Sequence, residues 1–179
     1  MPVPQGFHDF SLYLTDLKYA VLHQSINTNA LTNITLNNCA VSDMDGKIFL
    51  SVPSSTGSAT VVKTSSDKSQ EITAIKLDSY SPILNRRIKL LKIDVEGHEF
   101  SVLKGATQIF SDGLVDFCLC EIWHSSTIPF EENDSVKFFK HYGYEPFQVR
   151  KRFSIFPYLK NVSKEKPTFT SYDYLFKKI

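Results

Sequence analysis

No stretch of the 179 residues approaches the roughly 20 apolar residues that a membrane-spanning helix needs. The first ten residues lack the charged-then-apolar pattern of a secretory signal. These two absences make the cytoplasm the expected compartment and leave the N-x-S/T sequons at Asn33, Asn133 and Asn161 without a use. Charge of one sign is missing too: 20 Lys and Arg stand against 19 Asp and Glu, a net charge of +1. The chain as a whole therefore presents no field for nucleic acid or an anionic membrane. Cysteine is scarce. Cys39, Cys118 and Cys120 all lie in apolar, strand-like runs, which excludes a disulfide framework and fits buried free thiols. Glycine is scarce as well, 7 in all, and Gly6 is the only one before Gly46. The chain so far as it is given has no Gly-rich phosphate or nucleotide loop near its start.

What remains is an ordinary globular composition, 42% hydrophobic and 22% charged, long enough for one domain over residues 1–179 with a core of its own. Met1–Asp9 shows no period and reads as an irregular lead-in. Phe10–Asn29 is helical in spacing, with Thr15 or Asp16 as its cap. Leu31–Val41 is rich in β-branched residues and reads as a strand. Asp45-Gly46 marks a turn, and Lys47–Val52, Thr60–Lys63 and Ile72–Leu77 read as short strands of a β-hairpin region. A central strand follows over Ile88–Val95, then a helix from about Glu99 to Phe110, stopped by Gly113. Val115–Ile122 is apolar almost throughout and suits a strand buried on both faces. Phe130–Tyr142 is a helix starting near Asn133 or Asp134, Tyr144–Arg150 a strand, Lys151–Lys166 irregular and basic, and Ser171–Lys177 a last strand. The basic run holds five Lys and Arg and no nucleic-acid motif, so a solvated loop is expected there. Alternating strands and helices predict an α/β fold with a mostly parallel sheet and a β-hairpin insertion.

Chemistry concentrates in Leu90–Phe100, L-L-K-I-D-V-E-G-H-E-F. A mostly apolar run broken by acids and Gly97, then an amphipathic helix, reads as strand–turn–helix. In a parallel sheet the carboxyl ends of strands face the ligand crevice. On a continuing strand Asp94 and Glu96, two apart, point the same way. Either carboxylate, or the His98 imidazole, is a candidate to take a proton from an attacking hydroxyl. Gly97 lets the backbone turn and approach a ligand closely. The bland alternative is that Asp94, Glu96 and Glu99 merely favour a helix amino terminus. No metal is expected, because the dense spacing scatters these side chains around a turn. Glu121 ends the next apolar run and would face the same crevice. Trp123 and His124 follow it, as pocket lining or as packing.

K-I-D-V-E-G-H-E at Lys92–Glu99 and V-L-K-G-A at Val102–Ala106 resemble the signature of the FkbM-type methyltransferases. A-V-S-D at Ala40–Asp43, before Asp45-Gly46, resembles the family's stretch at the corresponding place. The resemblance runs from about Lys18 to Lys177. It implies a Rossmann-like class I methyltransferase sheet, S-adenosyl-L-methionine (SAM) as cofactor, and O-methylation of a small-molecule or sugar hydroxyl. By the same resemblance Val41 and Ser42 flank the adenine ring, Asp43 accepts from its amino group, Asp94 joins the cofactor contacts, and Asp94 and Glu96 carry the chemistry, with His98 as the second candidate base; a Glu is common in the family at Glu121, where it either contacts substrate or pairs with a nearby Lys or Arg. The family's Gly-rich loop and the acid that binds the ribose hydroxyls have no counterpart; that acid would fall near Tyr13. The sequence thus reads as an N-terminally incomplete member. A non-catalytic interaction module is the alternative, with a homodimer expected where a lost strand bares apolar surface. Phosphoryl transfer on Asp94 ranks last, since Glu96 stands where a second Asp would be needed.

Overall fold

A computed structural model of the chain describes residues 9–12, 16–51, 60–62, 69–122, 129–152, 156–161 and 173–179. The chain divides into two compact units, Met1–Ile75 and Lys76–Ile179. The expectations for residues 1–8, for Tyr13, for Trp123 and His124, and for residues 162–166 lie outside the described residues.

The first unit opens with β1 (Asp9–Leu12), α1 (Asp16–Thr28) and β2 (Ile34–Asn37). β1 and β2 pair in parallel, so α1 is a crossover between them. The sequence predicts the helix and misses β1, because four residues are too few for a period to register. The expected strand over Leu31–Val41 is split: β2 pairs with β1, while β3 (Ala40–Val41) joins a second sheet. Asn38, of a type depleted in strands, lies at the break. The second sheet adds β4 (Gly46–Ser51), β5 (Thr60–Val62) and β6 (Ser69–Ile75), in the order β3-β6-β4-β5. The strands expected as a hairpin insertion thus make a sheet with β3, in which β4 runs antiparallel to both β5 and β6. Every second residue of β4 and β6 turns inward, and Ile48, Leu50, Ile72 and Ala74 close with Ala40 into the unit's core.

The second unit contains β7 (Ile88–Ile93), α2 (Glu99–Lys104), α3 (Thr107–Ser111), β8 (Val115–Glu121), α4 (Asp134–His141), β9 (Tyr144–Arg152), β10 (Phe156–Asn161) and β11 (Asp173–Lys178). The sheet order is β10-β9-β11-β8-β7. β7 and β8 are parallel, and β11 is antiparallel to β8 and β9 on either side of it. β7, β8 and β9 therefore share one direction. The mostly parallel sheet expected from the sequence is corrected to mixed sheets: three described pairings are parallel and five antiparallel. Short connections are the reason. β10 returns beside β9 after residues 153–155, too few for a parallel crossover. At residues 151–152 and 156–161 these strands stand where an irregular segment is expected.

The predicted helix over Glu99–Phe110 breaks into α2 and α3 at Gly105-Ala106. Asp78 holds the break open by accepting from the N–H groups of Gln108 (2.9 Å) and Ile109 (3.1 Å), which caps α3. Gly113 ends α3 with φ +66°, the left-handed position its sequence context predicts. Asn133 caps α4, its Oδ1 accepting from the N–H groups of Ser135 (2.9 Å) and Val136 (3.4 Å).

One face of the sheet is the core. Phe139 stacks on Phe176 at 3.7 Å between ring centroids, and Phe110 meets Phe138, Phe139 and Tyr144 edge-on. The Tyr144 hydroxyl donates to the Val115 carbonyl, and burial pushes its pKa up to about 12. The other face is only half-buried. There Leu175 stands in register between Leu119 and Phe147, and Phe117 stands beside Leu90. β8 is accordingly buried on one face and half-buried on the other, rather than on both as its apolar run predicts.

Candidate functional site

β7 ends at Ile93, two residues earlier than predicted. Ile93 is buried, whereas Asp94 and Glu96 are exposed. Lys92 Nζ donates to Asp94 Oδ2 at 2.8 Å. The chain then turns sharply: Glu96 has φ +52° and Gly97 φ +93°. Glycine adopts such a conformation without strain, but for glutamate it is uphill. A Cβ on Gly97 would meet no atom within 4 Å, so the space above the turn is open. Asp94 and Glu96 do not lie on a continuing strand, and the two-residue spacing does not by itself give them a common face. Among the described residues β7 is also the edge strand of its sheet, not a central one.

Glu99 is the residue whose role here the sequence does not reveal. It is the first residue of α2, where an acid ordinarily faces water, yet it is 6% exposed. Its Oε1 accepts from the Gly97 N–H at 3.0 Å and the Val95 N–H at 3.3 Å. A Glu early in a helix that reaches back to preceding N–H groups is the one available signal, as in a capping box. His98 occupies the cap position of α2, half-buried, and its side chain does not cap the helix.

Glu121 is the last residue of β8, half-buried, and faces Asp173 of β11 in register. Ile93 pairs with Cys120 across the parallel strands, so Asp94 and Glu121 follow at the same, carboxyl end of β7 and β8. The antiparallel β11 brings the start of its run, Asp173, to that end too. Below them the buried Cys120 thiol records the arrangement. Its pKa is pushed well above the usual thiol range, first by burial and then by Cys118, Glu99, Glu121 and Asp173. The second unit therefore gathers Asp94, Glu96, Glu121 and Asp173 at one end of its sheet. Asp173 had no distinguishing feature in the sequence. Among the described residues no three His, Cys, Asp or Glu side chains are gathered to hold a metal ion, and no helix is long and apolar enough to cross a membrane.

In the first unit Val41 ends β3 and is buried, as is Ser42. The Ser42 N–H donates to the Ile75 carbonyl at 2.9 Å, which extends the β3–β6 ladder by one bond. Its hydroxyl donates to Asp43 Oδ1 at 3.2 Å. Asp43 itself is exposed just past the carboxyl end of β3.

Comparison with family models identifies one family. Residues 5–146 match the family described as the methyltransferase FkbM domain. The fold is similar to a crystal structure of methyltransferase FkbM from Methylobacillus flagellatus, with a TM-score of 0.55 and 15% sequence identity. That match covers 95% of this chain, which spans only 36% of the length of the other. No curated protein matches. With a family match over most of its length, and the D-V-E-G turn standing at the carboxyl ends of two parallel strands, the chain belongs to the FkbM methyltransferase domain family.

Proposed function

We propose that the chain serves SAM-dependent methyl transfer to a hydroxyl oxygen of a small molecule or sugar. One observation carries the reading: the exposed Asp94 and Glu96 flank an open turn at the carboxyl ends of parallel β7 and β8, where α/β folds bind ligands. The residues present fit such a cofactor in kind. The bare backbone at Gly97 admits a close approach, and Asp94 is an exposed acceptor for amino or hydroxyl groups.

When bound, SAM supplies an electrophilic methyl group on sulfur. The protein's part is to hold, orient and deprotonate. Asp94 accepts from the cofactor's polar groups. Glu96 takes the proton of the attacking hydroxyl, with His98 as the second candidate. Glu121 orients the acceptor. Positioning supplies more of the rate than the proton transfer, which contributes on the order of 10²–10⁴-fold.

Calorimetric titration with S-adenosylhomocysteine tests the reading. Saturable heat is expected, weakened in Asp94→Asn. No heat at millimolar ligand would remove it. A non-catalytic interaction module is the second reading, favoured by the edge position of β7 among the described strands of its sheet and the 54% exposure of Leu90 on it.

A further inference from the structure

We infer that Glu99 is a positioning residue: its buried carboxylate fixes the Asp94–Gly97 turn by accepting the N–H groups on either side of Glu96. The inference rests on that turn being the methyl-transfer site. Glu99 Oε1 takes both the Val95 and the Gly97 N–H, at 3.3 and 3.0 Å. One oxygen thus clamps the residues before and after Glu96, the non-glycine residue with φ +52°. A left-handed glutamate persists only where its surroundings over-determine it. A carboxylate that is 6% exposed persists only where hydrogen bonds replace its water. Each explains the other. The buried acid needs donors, and the strained turn supplies two of them on one side. Charge-assisted bonds of this kind are about twice as strong as neutral ones. The Asp94 and Glu96 side chains project from the clamped backbone, so their directions depend on it. Glu99 has no need to touch cofactor or acceptor in this role.

The test compares Glu99→Ala and Glu99→Gln in the full chain, by amide hydrogen exchange and by S-adenosylhomocysteine titration. Glutamine keeps an accepting oxygen; alanine does not. In Glu99→Ala the Val95 and Gly97 amides should exchange about tenfold faster, as loss of one hydrogen bond implies. The Val102 and Leu103 amides of α2 should hold. Ligand affinity should fall about tenfold with alanine and return to within about threefold with glutamine. Unchanged exchange at Val95 and Gly97 in a folded Glu99→Ala overturns the inference. So does faster exchange with undiminished affinity. Should alanine fail to fold, glutamine decides alone: slow amides and retained affinity support the inference, and fast amides overturn it. Failure of both variants to fold makes Glu99 a purely structural residue and also overturns it. If the unaltered chain gives no heat with S-adenosylhomocysteine, the methyl-transfer reading falls, while the exchange rates still decide whether Glu99 holds the turn.

Discussion

Glu96 occupies a backbone conformation that costs an L-residue roughly 1–2 kcal/mol, and glycine there would recover most of it. Glycine's added freedom in the unfolded chain takes back about 0.5–1 kcal/mol. Glu96→Gly is therefore expected to stabilise the chain by up to about 1 kcal/mol in urea unfolding while lowering the proposed methyl transfer by about 10²–10⁴-fold. Destabilisation would mean that the glutamate side chain holds the turn more firmly than its strain opposes it. At this scale the sequence is a partial guide. It supplies the acids around Gly97 and the reason such residues suit proton transfer. It does not tell which of them is buried. Asp94, Glu96 and Glu99 are chemically alike and closely spaced, and only the path of the turn sends one inward and two outward. Asp173 is legible only through β11, whose register sets it opposite Glu121.

At the scale of elements, the segment leading into β7 is tied to β8 by charge. Arg87 Nε and Lys89 Nζ donate to the two oxygens of Asp116 at 2.6 and 3.0 Å. The Arg87 bond first, then the Lys89 bond, holds the Asp116 carboxyl below its ordinary value of 3.8. The unfolded chain thus takes up this proton at a higher pH than the folded one does. The stability contributed is complete above the ordinary value and is lost as pH falls through the lower folded value. Asp116→Asn should remove that acid limb, seen as a smaller drop in stability on acidification. The difference should be small and should shrink further in 1 M salt, because both cations are largely exposed. Local signals found several elements well: the turn residue Gly113, the cap at Asn133 and the alternation in β4 and β6 all act within a few residues. They failed where a partner decides. Nothing within I-K-L-L-K-I says whether β7 is an edge or an interior strand. The break between α2 and α3 depends on Asp78, thirty residues upstream of the amides it caps.

At the scale of the whole molecule, the second unit carries a sheet with one face buried and one half-buried. Leu90, Phe117, Leu119, Phe147 and Leu175 lie along the half-buried face, and β7 is an edge strand of that sheet among the described residues. Such an edge is a template for pairing with another chain. Size-exclusion chromatography with light scattering is expected to show self-association, and Leu90→Lys to shift the population toward monomer. A single monomeric peak for both proteins across micromolar concentrations would count against a homodimer. β11 carries a different consequence. It is the final strand of the sequence, yet it sits between β8 and β9. β8 and β9 therefore close into one sheet only when a segment later in the sequence reaches the place between them. Until Asp173–Lys178 slides in, a one-strand slot runs through the nascent sheet, with bare amides and carbonyls on both walls. Any extended segment of another polypeptide that reaches the slot first would occupy it. The folding chain is thus most open to a foreign strand before β11 has docked.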